Sequence, residues 1–312
     1  MDPEHYRKHN PNVPPRDYGQ AMGISLRPRE ERRHQNVLDV DDLDTPIYRW
    51  FSNDRFLELL RTGQLTLVRP RMWEDPFENF LMGAAVRLSS GEPVSLADLQ
   101  SRFYGQCWTF NRESDALWRI YSPLKTGVKV ATTARKLFDA IWSDEPRDAD
   151  LSCFLGLVRY LPEAQFAAIL RDQNVARSLL LDGTGLGHVR MLLLKREEFS
   201  HEAEVRLLFR DVRRERAPGP NVVQFEIDPS RLFDEVVLDP RADAATVGRL
   251  QDEIGTLGYA GAVRQSPLYR LPDFEITIER PGRRRPGVRT WYTITDGELR
   301  MRTDVPRART RR

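Results

Sequence analysis

Two carboxylates and a guanidinium alternate in the segment His201–Leu207, at Glu202, Glu204 and Arg206. In a β-strand, alternate side chains point to the same face, so these three groups would project together. One carboxylate could hydrogen-bond a ribose hydroxyl and stabilise an oxocarbenium-like centre, while the second orients or deprotonates an acceptor. Arg206 would keep the carboxylates ionised. The alternative is a solvated strand face that carries cross-strand ion pairs.

A second candidate group is Arg49, which stands between the aromatic residues Tyr48 and Trp50. Arginine can bind phosphate through two parallel hydrogen bonds, so Arg49 could hold the pyrophosphate of a dinucleotide, with Tyr48 beside it. The alternative is an arginine that caps the end of a strand and pairs with an acidic neighbour such as Asp75.

Three more side chains could complete a nucleotide site. Trp118 and Tyr121 are three residues apart on a predicted helix and share a face, from which they could stack on a nicotinamide ring or a base. Their alternative is burial in the core, the usual place for such a pair. Thr109 alternates with Trp108 and Phe110 in a predicted strand, so it could face a cleft.

The acidic segment Trp73–Glu78 suggests a different chemistry. A metal-dependent nuclease could use Asp75, Glu78, Glu202 and Glu204 to hold a divalent cation. However, Asp75 and Glu78 also stand where a helix start needs an N-cap and a residue that reaches back to it. Helix capping therefore explains this segment without a metal.

Cysteine and histidine usage narrows the chemistry further. Two cysteines, Cys107 and Cys153, exclude a disulfide framework and a zinc site built on cysteine pairs. The five histidines show no metal-ligand spacing, and none is placed to activate Cys107, which we expect to be buried and inert. The glycines of residues 182–187 do not form a dinucleotide-binding turn. We therefore expect no metal.

A sheet is needed to bring these side chains together, and the chain predicts one. Residues 45–280 are predicted to form a single α+β core, with a mixed, mostly antiparallel sheet and flanking helices. Its predicted strands are 47–51, 65–68, 105–110, 127–132, 189–194, 202–209, 222–227 and 236–238, and the last core strands are predicted around 263–269 and 274–278. Helices are predicted around Phe56, Leu59 and Leu60 with an end at Gly63, from Ser114 to Tyr121, through most of 133–177, and over 245–257.

The composition of the chain predicts where the fold begins and where in the cell the protein is located. Residues 1–44 are rich in Pro, Arg, Asp and Glu and predict a mostly disordered leader, so the fold should begin at Pro46. Hydrophobic residues make up 40% of the chain, yet no apolar run approaches the ~20 residues of a membrane span. The N-terminus has no apolar signal segment. These features predict a cytoplasmic protein without a membrane partner.

The C-terminal residues 281–312 are strongly basic. They hold ten arginines against three acidic residues, a net charge of +7, which leaves −5 on residues 1–280. Such a tail could bind nucleic acid through its phosphates, or it could be a solubilising end. Asp296 and Gly297 lie between two alternating runs and predict a β-hairpin.

A series of short segments resembles a bacterial family known as domain of unknown function 2971. The series covers about residues 45–270 and runs through Ile47–Trp50, Leu59–Leu60 before Gly63, Trp73–Glu78, Cys107–Thr109, Ala116–Tyr121, Gly127–Val128, then Phe199, Glu202 and Glu204–Arg206, and finally Val236–Leu238 and Gln265–Tyr269. The resemblance implies a cytoplasmic bacterial protein with a link to phage defence or abortive infection. It does not imply a reaction.

The order of polar residues also resembles that of the ADP-ribosyltransferase fold, which carries an Arg or His on its first strand, a Ser, Thr or Tyr in the middle and a late Glu. The matching positions here are Arg49, then Thr109 or Tyr121, then Glu204. This resemblance implies NAD as the substrate, with Arg49 as its anchor, Tyr121 stacked on it and Glu204 as the essential carboxylate.

The leading hypothesis is therefore an enzyme that transfers ADP-ribose from NAD to a macromolecule or hydrolyses NAD, with Glu202 and Arg206 assisting Glu204. Nucleic acid bound by residues 281–312 is one candidate acceptor. Two alternatives stay open. One is the metal-dependent nuclease, and the other is a non-catalytic binding or regulatory subunit of a defence system.

Overall fold

The computed structural model describes residues 33–73, 75, 78, 86–87, 90–94, 101–144, 149–172, 185–212, 220–271, 289–295 and 298–304. The chain divides into two compact units, Met1–Tyr269 and Arg270–Arg312. Within the described ranges, no helix combines the length and the apolar character that a membrane crossing requires.

The strands are named in chain order. They are β1 (Val37–Leu38), β2 (Pro46–Phe51), β3 (Gln64–Val68), β4 (Val86–Arg87), β5 (Pro93–Val94), β6 (Phe103–Thr109), β7 (Val128–Thr133), β8 (Cys153–Leu157), β9 (Arg159–Leu161), β10 (Leu194–Arg196), β11 (Glu204–Arg210), β12 (Val222–Glu226), β13 (Glu235–Leu238), β14 (Val263–Gln265), β15 (Arg289–Thr295) and β16 (Glu298–Asp304).

The α-helices are named in the same way. They are α1 (Asn53–Thr62), α2 (Asp115–Tyr121), α3 (Ala134–Asp144), α4 (Ala149–Ser152), α5 (Glu163–Arg171), α6 (Leu186–Leu192), α7 (Pro229–Leu232) and α8 (Ala244–Thr256). Short 3-10 helices cover Pro70–Met72 and Glu197–Glu202.

One sheet organises the larger unit. Its strand order is β1-β8-β11-β6-β2-β7-β13-β14, and β3 joins it through β6 and carries β12 on its other edge. Neighbours are antiparallel, except for the parallel pairs β1 with β8 and β13 with β14. This arrangement confirms the predicted α+β class with a mixed, mostly antiparallel sheet.

The sheet is split beside the end of β6. In the described part of the chain, β2 pairs with β6 through one residue pair, Tyr48 and Thr109. At the other end of β6, Gly105 pairs instead with Val68 of β3. β6 is therefore shared between two branches of the sheet, and the gap between β2 and β6 leaves room for a pocket.

Helix α1 connects β2 to β3, and its local sequence accounts for its buried face and its end. Its apolar residues Phe56, Leu57, Leu59 and Leu60 are buried against the large core, as their spacing predicts. Gly63 ends the helix in the left-handed conformation with φ 63° and donates its N–H to the Leu59 carbonyl, a role that suits a residue without a Cβ. The helix thereby returns the chain from β2 to β3.

The prediction of helix through most of residues 133–177 is wrong in its middle. Helices α3 and α5 lie there, but β8 and β9 separate them. Cys153, Phe154 and Leu155 are all fully buried. A strand buried on both faces is continuously apolar and carries no alternation, so its pattern is easily mistaken for a buried helix. The predicted strand 189–194 is likewise helix α6 followed by β10.

The fold also begins earlier than Pro46. Val37 of β1 pairs with Leu155 of β8, and the Asn36 side chain donates a hydrogen bond to the Cys153 carbonyl at 2.8 Å. A strand of two residues is too short to produce a periodic signal, which explains the misplaced boundary. Residues 1–32 of the predicted leader lie outside the described residues.

In the smaller unit, β15 and β16 form an antiparallel pair in which Thr295 lies opposite Glu298. The two strands of the predicted hairpin are thus confirmed. Its predicted turn, Asp296 and Gly297, lies outside the described residues, and so does the predicted strand around 274–278.

Deletion of residues 281–312 should leave a folded core that binds RNA or DNA less tightly at low salt. A segment with a net charge of +7 binds polyanions mainly through phosphates, so its contribution should fall steeply as salt rises. Circular dichroism and a salt series of binding titrations would measure both effects. Loss of folding would show that the boundary at 280 is wrong, and unchanged affinity would show that the tail is only a solubilising end.

Candidate functional site

Three neighbouring strands bring distant polar residues into one row. In the register of the sheet, Glu204 of β11 lies opposite Thr109 of β6, and Thr109 lies opposite Tyr48 of β2. One step along, Arg206 lies opposite Cys107. Strand pairing, and not proximity in sequence, therefore aligns Glu204 with Thr109 and Tyr48 across the three strands.

A pocket opens at the split in the sheet and encloses about 460 Å³, with the solvent at its mouth included. Six of the eight predicted site residues line it. The full lining consists of Tyr48, Arg49, Trp50, Cys107, Trp108, Thr109, Leu117, Tyr121, Glu202 and Glu204. The pocket therefore joins the predicted anion-binding residues to the predicted carboxylate pair.

Trp118 does not reach this pocket. It is fully buried, meets Trp50 edge-on at 5.7 Å between ring centroids, and donates its indole N–H to the Glu113 carboxylate at 2.9 Å. The prediction that Trp118 stacks on a ligand is therefore replaced by a core role. Tyr121, from the same helix, is 43% exposed and lies stacked at 6.5 Å on Trp50. It remains available to a ligand.

Arg206 lies behind the pocket wall and is fully buried. Its Nε and Nη2 donate to the same oxygen of Glu204 at 2.9 and 2.6 Å, and Nη1 donates to the Leu192 carbonyl at 2.6 Å. The guanidinium also pairs with Glu78 at 3.0 Å and lies 4.5 Å from the centre of a Trp73 ring. Arg206 therefore fixes Glu204 from behind and does not face a ligand.

Glu204 is buried and the Glu202 side chain is 13% exposed, so the solvated strand face is ruled out. Glu204 is 6% exposed. Glu202 lies before the strand, because Ala203 adopts a left-handed conformation with φ 44° between the two residues. The backbone carbonyl of Glu202 accepts a hydrogen bond from Thr109. The prediction of one shared strand face holds for Glu204 and Arg206, and is wrong for Glu202.

Lys195 and Glu78 complete the cluster. The sequence pattern assigned no role to Lys195, and it grouped Glu78 with Glu202 and Glu204 only in the metal-dependent nuclease alternative. The Lys195 ammonium lies 2.9 Å from Glu78, 2.5 Å from Glu202 and 3.1 Å from Glu204. The predicted capping role does not account for Glu78, whose carboxylate pairs with Lys195 and Arg206. These contacts join segments far apart in the chain, so no local signal could reveal them.

The two carboxylates differ in acidity because their partners differ. Burial by itself would raise the pKa of Glu204, but the charges of Arg206 and Lys195 outweigh burial and lower this pKa to about 2. Burial, and then the hydrogen bond shared with Glu204, raises the pKa of Glu202 to about 7. At neutral pH, Glu204 is ionised and Glu202 is poised to exchange a proton.

Glu202→Gln should be at least as stable as the wild type at pH 8. The folded-state pKa of Glu202 lies above its ordinary value of 4.5, so the folded protein holds an extra proton between about pH 4.5 and 7. The stability that depends on this proton is present at acidic pH and is lost as the pH rises through 7. Gln keeps the neutral form, so the variant should gain up to about 2 kcal/mol over the wild type between pH 5 and 8.

Denaturant unfolding of both proteins at pH 5 and pH 8 measures this gain. A variant that loses stability at pH 8 relative to the wild type would show that the ion pair between Glu202 and Lys195 dominates instead.

Arg49 provides the positive side of the pocket. Its Nη1 donates to the Cys107 carbonyl, and its guanidinium carbon lies 5.2 Å from the centre of the Phe51 ring. Among the described residues, no carboxylate lies within 4.0 Å of Arg49, and its buried Nε has no hydrogen-bond partner. Burial lowers the pKa of Arg49. The alternative pairing with Asp75 is not observed, since Asp75 contacts Arg196 at 3.1 Å.

Cys107 lies in the pocket wall, opposite Arg206. Burial, and next the charge of Glu204, raises the pKa of its thiol to about 12. The thiol therefore stays protonated at neutral pH, which agrees with the expectation of an inert cysteine.

The carboxylates that the nuclease alternative requires form ion pairs with lysine and arginine side chains of the protein itself. Glu78, Glu202 and Glu204 converge on Lys195, and Asp75 contacts Arg196. Over the described part of the chain, no group of three or more His, Cys, Asp or Glu side chains is placed to hold a metal ion. The nuclease alternative therefore has no ligand set among these residues.

No protein-family model and no curated protein matches the chain. DarT of Thermus sp. 2.9 in complex with NAD+ is a similar solved structure, with 14% identity, a TM-score of 0.34, and coverage of 73% of this chain and 98% of that chain. DarT of the same organism in complex with ADP-ribosylated ssDNA is also 14% identical, with a TM-score of 0.33 over 71% of this chain and 93% of that chain. The resemblance to domain of unknown function 2971 stays a prediction.

Proposed function

We propose that this protein binds NAD as a substrate in the pocket between β2 and β6 and transfers ADP-ribose to a macromolecule or to water. The observation that carries the proposal is the pairing, in one pocket, of a guanidinium without a carboxylate partner among the described residues and an ionised carboxylate held by two cations. A ligand that carries an anionic group and a cationic leaving group could contact the guanidinium with the first and the carboxylate with the second.

The positive side of the pocket suits the pyrophosphate of NAD. Arg49 is partly buried, its Nε lacks a partner among the described residues, and burial disfavours its charge. A bound phosphate would supply the missing acceptor and the missing countercharge. Tyr48 and Thr109 flank this position in the row across β2 and β6.

The negative side suits the reacting ribose. Glu204 is ionised and held on both oxygens, by Lys195 at 3.1 Å and by Arg206 at 2.6 Å. It could accept a hydrogen bond from a ribose hydroxyl and stabilise the positive charge that develops at the anomeric carbon. Tyr121 and Trp50 offer aromatic surface on which the nicotinamide ring could stack.

In the proposed reaction, the bond between the anomeric carbon and the nicotinamide nitrogen breaks, and its electron pair passes to the nitrogen, which neutralises the pyridinium. The acceptor oxygen or nitrogen then forms a bond to the anomeric carbon, and its proton passes to ionised Glu202. A group with a pKa near 7 is suited to this exchange at neutral pH.

The acceptor and the setting are also proposals. Nucleic acid is the first acceptor to test, because residues 281–312 carry a net charge of +7. A cytoplasmic site of action and a role in phage defence follow from the family resemblance, and the proposed chemistry is compatible with both, since depletion of NAD or modification of a macromolecule would harm a cell.

The test is release of nicotinamide from NAD by the purified protein, alone and with cell lysate, followed by chromatography. Labelled NAD would report transfer to protein, RNA or DNA, and a chelator would distinguish a transferase from the alternative, a metal-dependent nuclease. Asp234→Asn, which changes an exposed carboxylate paired with Lys136 on the surface, is the control variant. We expect nicotinamide release that does not require magnesium.

Calorimetry of NAD binding distinguishes the proposed enzyme from the non-catalytic binding subunit. NAD binding without release, in every acceptor mixture, would favour the non-catalytic binding subunit. If the protein neither binds NAD nor releases nicotinamide, the proposal is wrong.

A further inference from the structure

Lys195 is a buried cation at the centre of the candidate site, and it does not line the pocket. It lies on β10 and is 5% exposed. Its ammonium contacts a carboxylate oxygen of Glu78 at 2.9 Å, of Glu202 at 2.5 Å and of Glu204 at 3.1 Å. A protonated lysine has three N–H donors, so each of the three carboxylates can accept one hydrogen bond from Lys195.

The three carboxylates come from separate parts of the chain. Glu78 lies between the 3-10 helix Pro70–Met72 and β4, Glu202 ends the 3-10 helix Glu197–Glu202, and Glu204 begins β11. Lys195 is the shared contact between them, and Arg206 reaches Glu78 and Glu204 but not Glu202 in the described contacts. The position of Glu202 relative to Glu204 therefore depends on Lys195.

The backbone that carries Lys195 is itself well fixed. β10 pairs in parallel with β9, where Lys195 lies opposite Tyr160, and the Tyr160 hydroxyl accepts a hydrogen bond from the backbone N–H of Glu204 at 2.8 Å. The ring of Phe199 lies 4.8 Å from the ammonium. Lys195 is thus tied to the start of β11 through its side chain and through its strand partner.

We propose that Lys195 is a positioning residue, which holds Glu202 and Glu204 side by side at the pocket wall so that both carboxylates can face one substrate. This inference rests on the proposed function for its catalytic consequence. Removal of the ammonium would leave Arg206 paired with Glu78 and Glu204, and Glu202 without a cation, in the described contacts. Repulsion would then separate Glu202 from Glu204 or force a second proton onto the pair.

The charge balance around the pair makes this consequence measurable. The charged and titratable groups that face Glu202 and Glu204 are Arg49 on β2, Glu78, Cys107 on β6, Tyr121 on α2, Tyr160 on β9, Lys195 on β10 and Arg206 on β11. Of these, Lys195 is the cation that contacts both carboxylates. Its loss should therefore raise the midpoints at which the pair takes up protons.

The experiment compares Lys195→Met, Lys195→Arg and the double variant Lys195→Met with Glu78→Gln. The double variant removes one carboxylate together with the cation, so it should fold even if the single Met variant does not. Lys136→Met, which removes an exposed lysine paired with Asp234, is the matched control. Side-chain carboxyl groups are titrated by carbon-13 NMR, and the pH profile of kcat for nicotinamide release is measured in parallel.

We expect the midpoint of the carboxylate pair to rise by about one pH unit or more in Lys195→Met, the shift that loss of a cation in contact produces. The rise should be smaller in the double variant, which also loses the negative charge of Glu78. The value of kcat at pH 7 should fall about tenfold or more. Lys195→Arg should keep the midpoints near those of the wild type, because it retains the charge. Lys136→Met should change neither.

Two results would overturn the inference. One is a set of Met variants that are folded, with a lower melting temperature and unchanged carboxyl midpoints, which is what a merely structural role predicts. The other is a shift as large in Lys195→Arg as in Lys195→Met. Since the NMR titration needs no activity, it decides the role of Lys195 even if the wild type fails to cleave NAD, a result that would contradict the proposed function alone.

Discussion

Replacement of Glu204 by Gln should reduce nicotinamide release from NAD by about 10³-fold, comparable to the loss of a group that stabilises developing charge in other enzymes. Gln is nearly isosteric but carries no negative charge, so it cannot stabilise a positive anomeric carbon. The charge is available in the wild type at neutral pH, because Arg206 and Lys195 outweigh burial and hold the pKa of Glu204 at about 2.

The same substitution should also lower stability. Glu204 is 6% exposed and pairs with fully buried Arg206, and loss of one partner from a buried pair costs about 3 kcal/mol. A carboxylate on a solvated strand face would instead change stability by less than about 0.5 kcal/mol. Denaturant unfolding separates the two cases.

Activity must be compared at a temperature at which near-ultraviolet circular dichroism shows both proteins folded. Asp234→Asn should retain the activity of the wild type. A folded Glu204→Gln protein that still releases nicotinamide at the wild-type rate would remove Glu204 from the chemistry and leave it a structural role.

Replacement of Arg49 by Met should abolish most NAD binding and leave the melting temperature equal or higher. Arg49 has no carboxylate within 4.0 Å among the described residues, and burial lowers its pKa, so burial of its charge opposes folding. Loss of a charge-assisted, two-pronged contact to phosphate should weaken affinity about 100-fold, equivalent to ~2.8 kcal/mol.

Lysine at the same position tests the geometry of the contact. Arg49→Lys should bind NAD about tenfold less tightly than the wild type, because an ammonium cannot form two parallel hydrogen bonds. Arg55→Lys, at an exposed pair with Glu58, is the control. Equal affinity in the wild type and Arg49→Lys by calorimetry would exclude Arg49 from the site, and a marked loss of stability in Arg49→Met would indicate a structural role.

The local elements near the site could largely be predicted. The strand that carries Arg49, helix α1 with its end at Gly63, and the strand that carries Thr109 follow from apolar spacing and from a residue that tolerates a left-handed conformation. The predicted helix from Ser114 to Tyr121 is α2. These features depend on neighbours within a few residues, and such neighbours are visible in a sequence.

The burial of the site could not be predicted from the same patterns. A run of alternating Glu and Arg residues looks like a solvated face, and only the ion pairs with Lys195 and Glu78 allow Glu204 and Arg206 to lie in the interior. Trp118 and Tyr121 share a helix, yet the first packs in the core and the second reaches the pocket. The spacing of two residues in the sequence shows that they share a helix face, but it does not show which part of the protein packs against that face.

By itself, the sequence determined the α+β class, most strands of the sheet, and the types of side chain available for chemistry, because periodicity and turn residues act locally. The tertiary structure decided which of those side chains meet. The register of β11, β6 and β2 brings Glu204, Thr109 and Tyr48 into one row. The left-handed Ala203 removes Glu202 from the strand, and Lys195 reaches it across the cluster. Register and ion pairing depend on contacts between distant segments, so they arise only when the sheet is assembled.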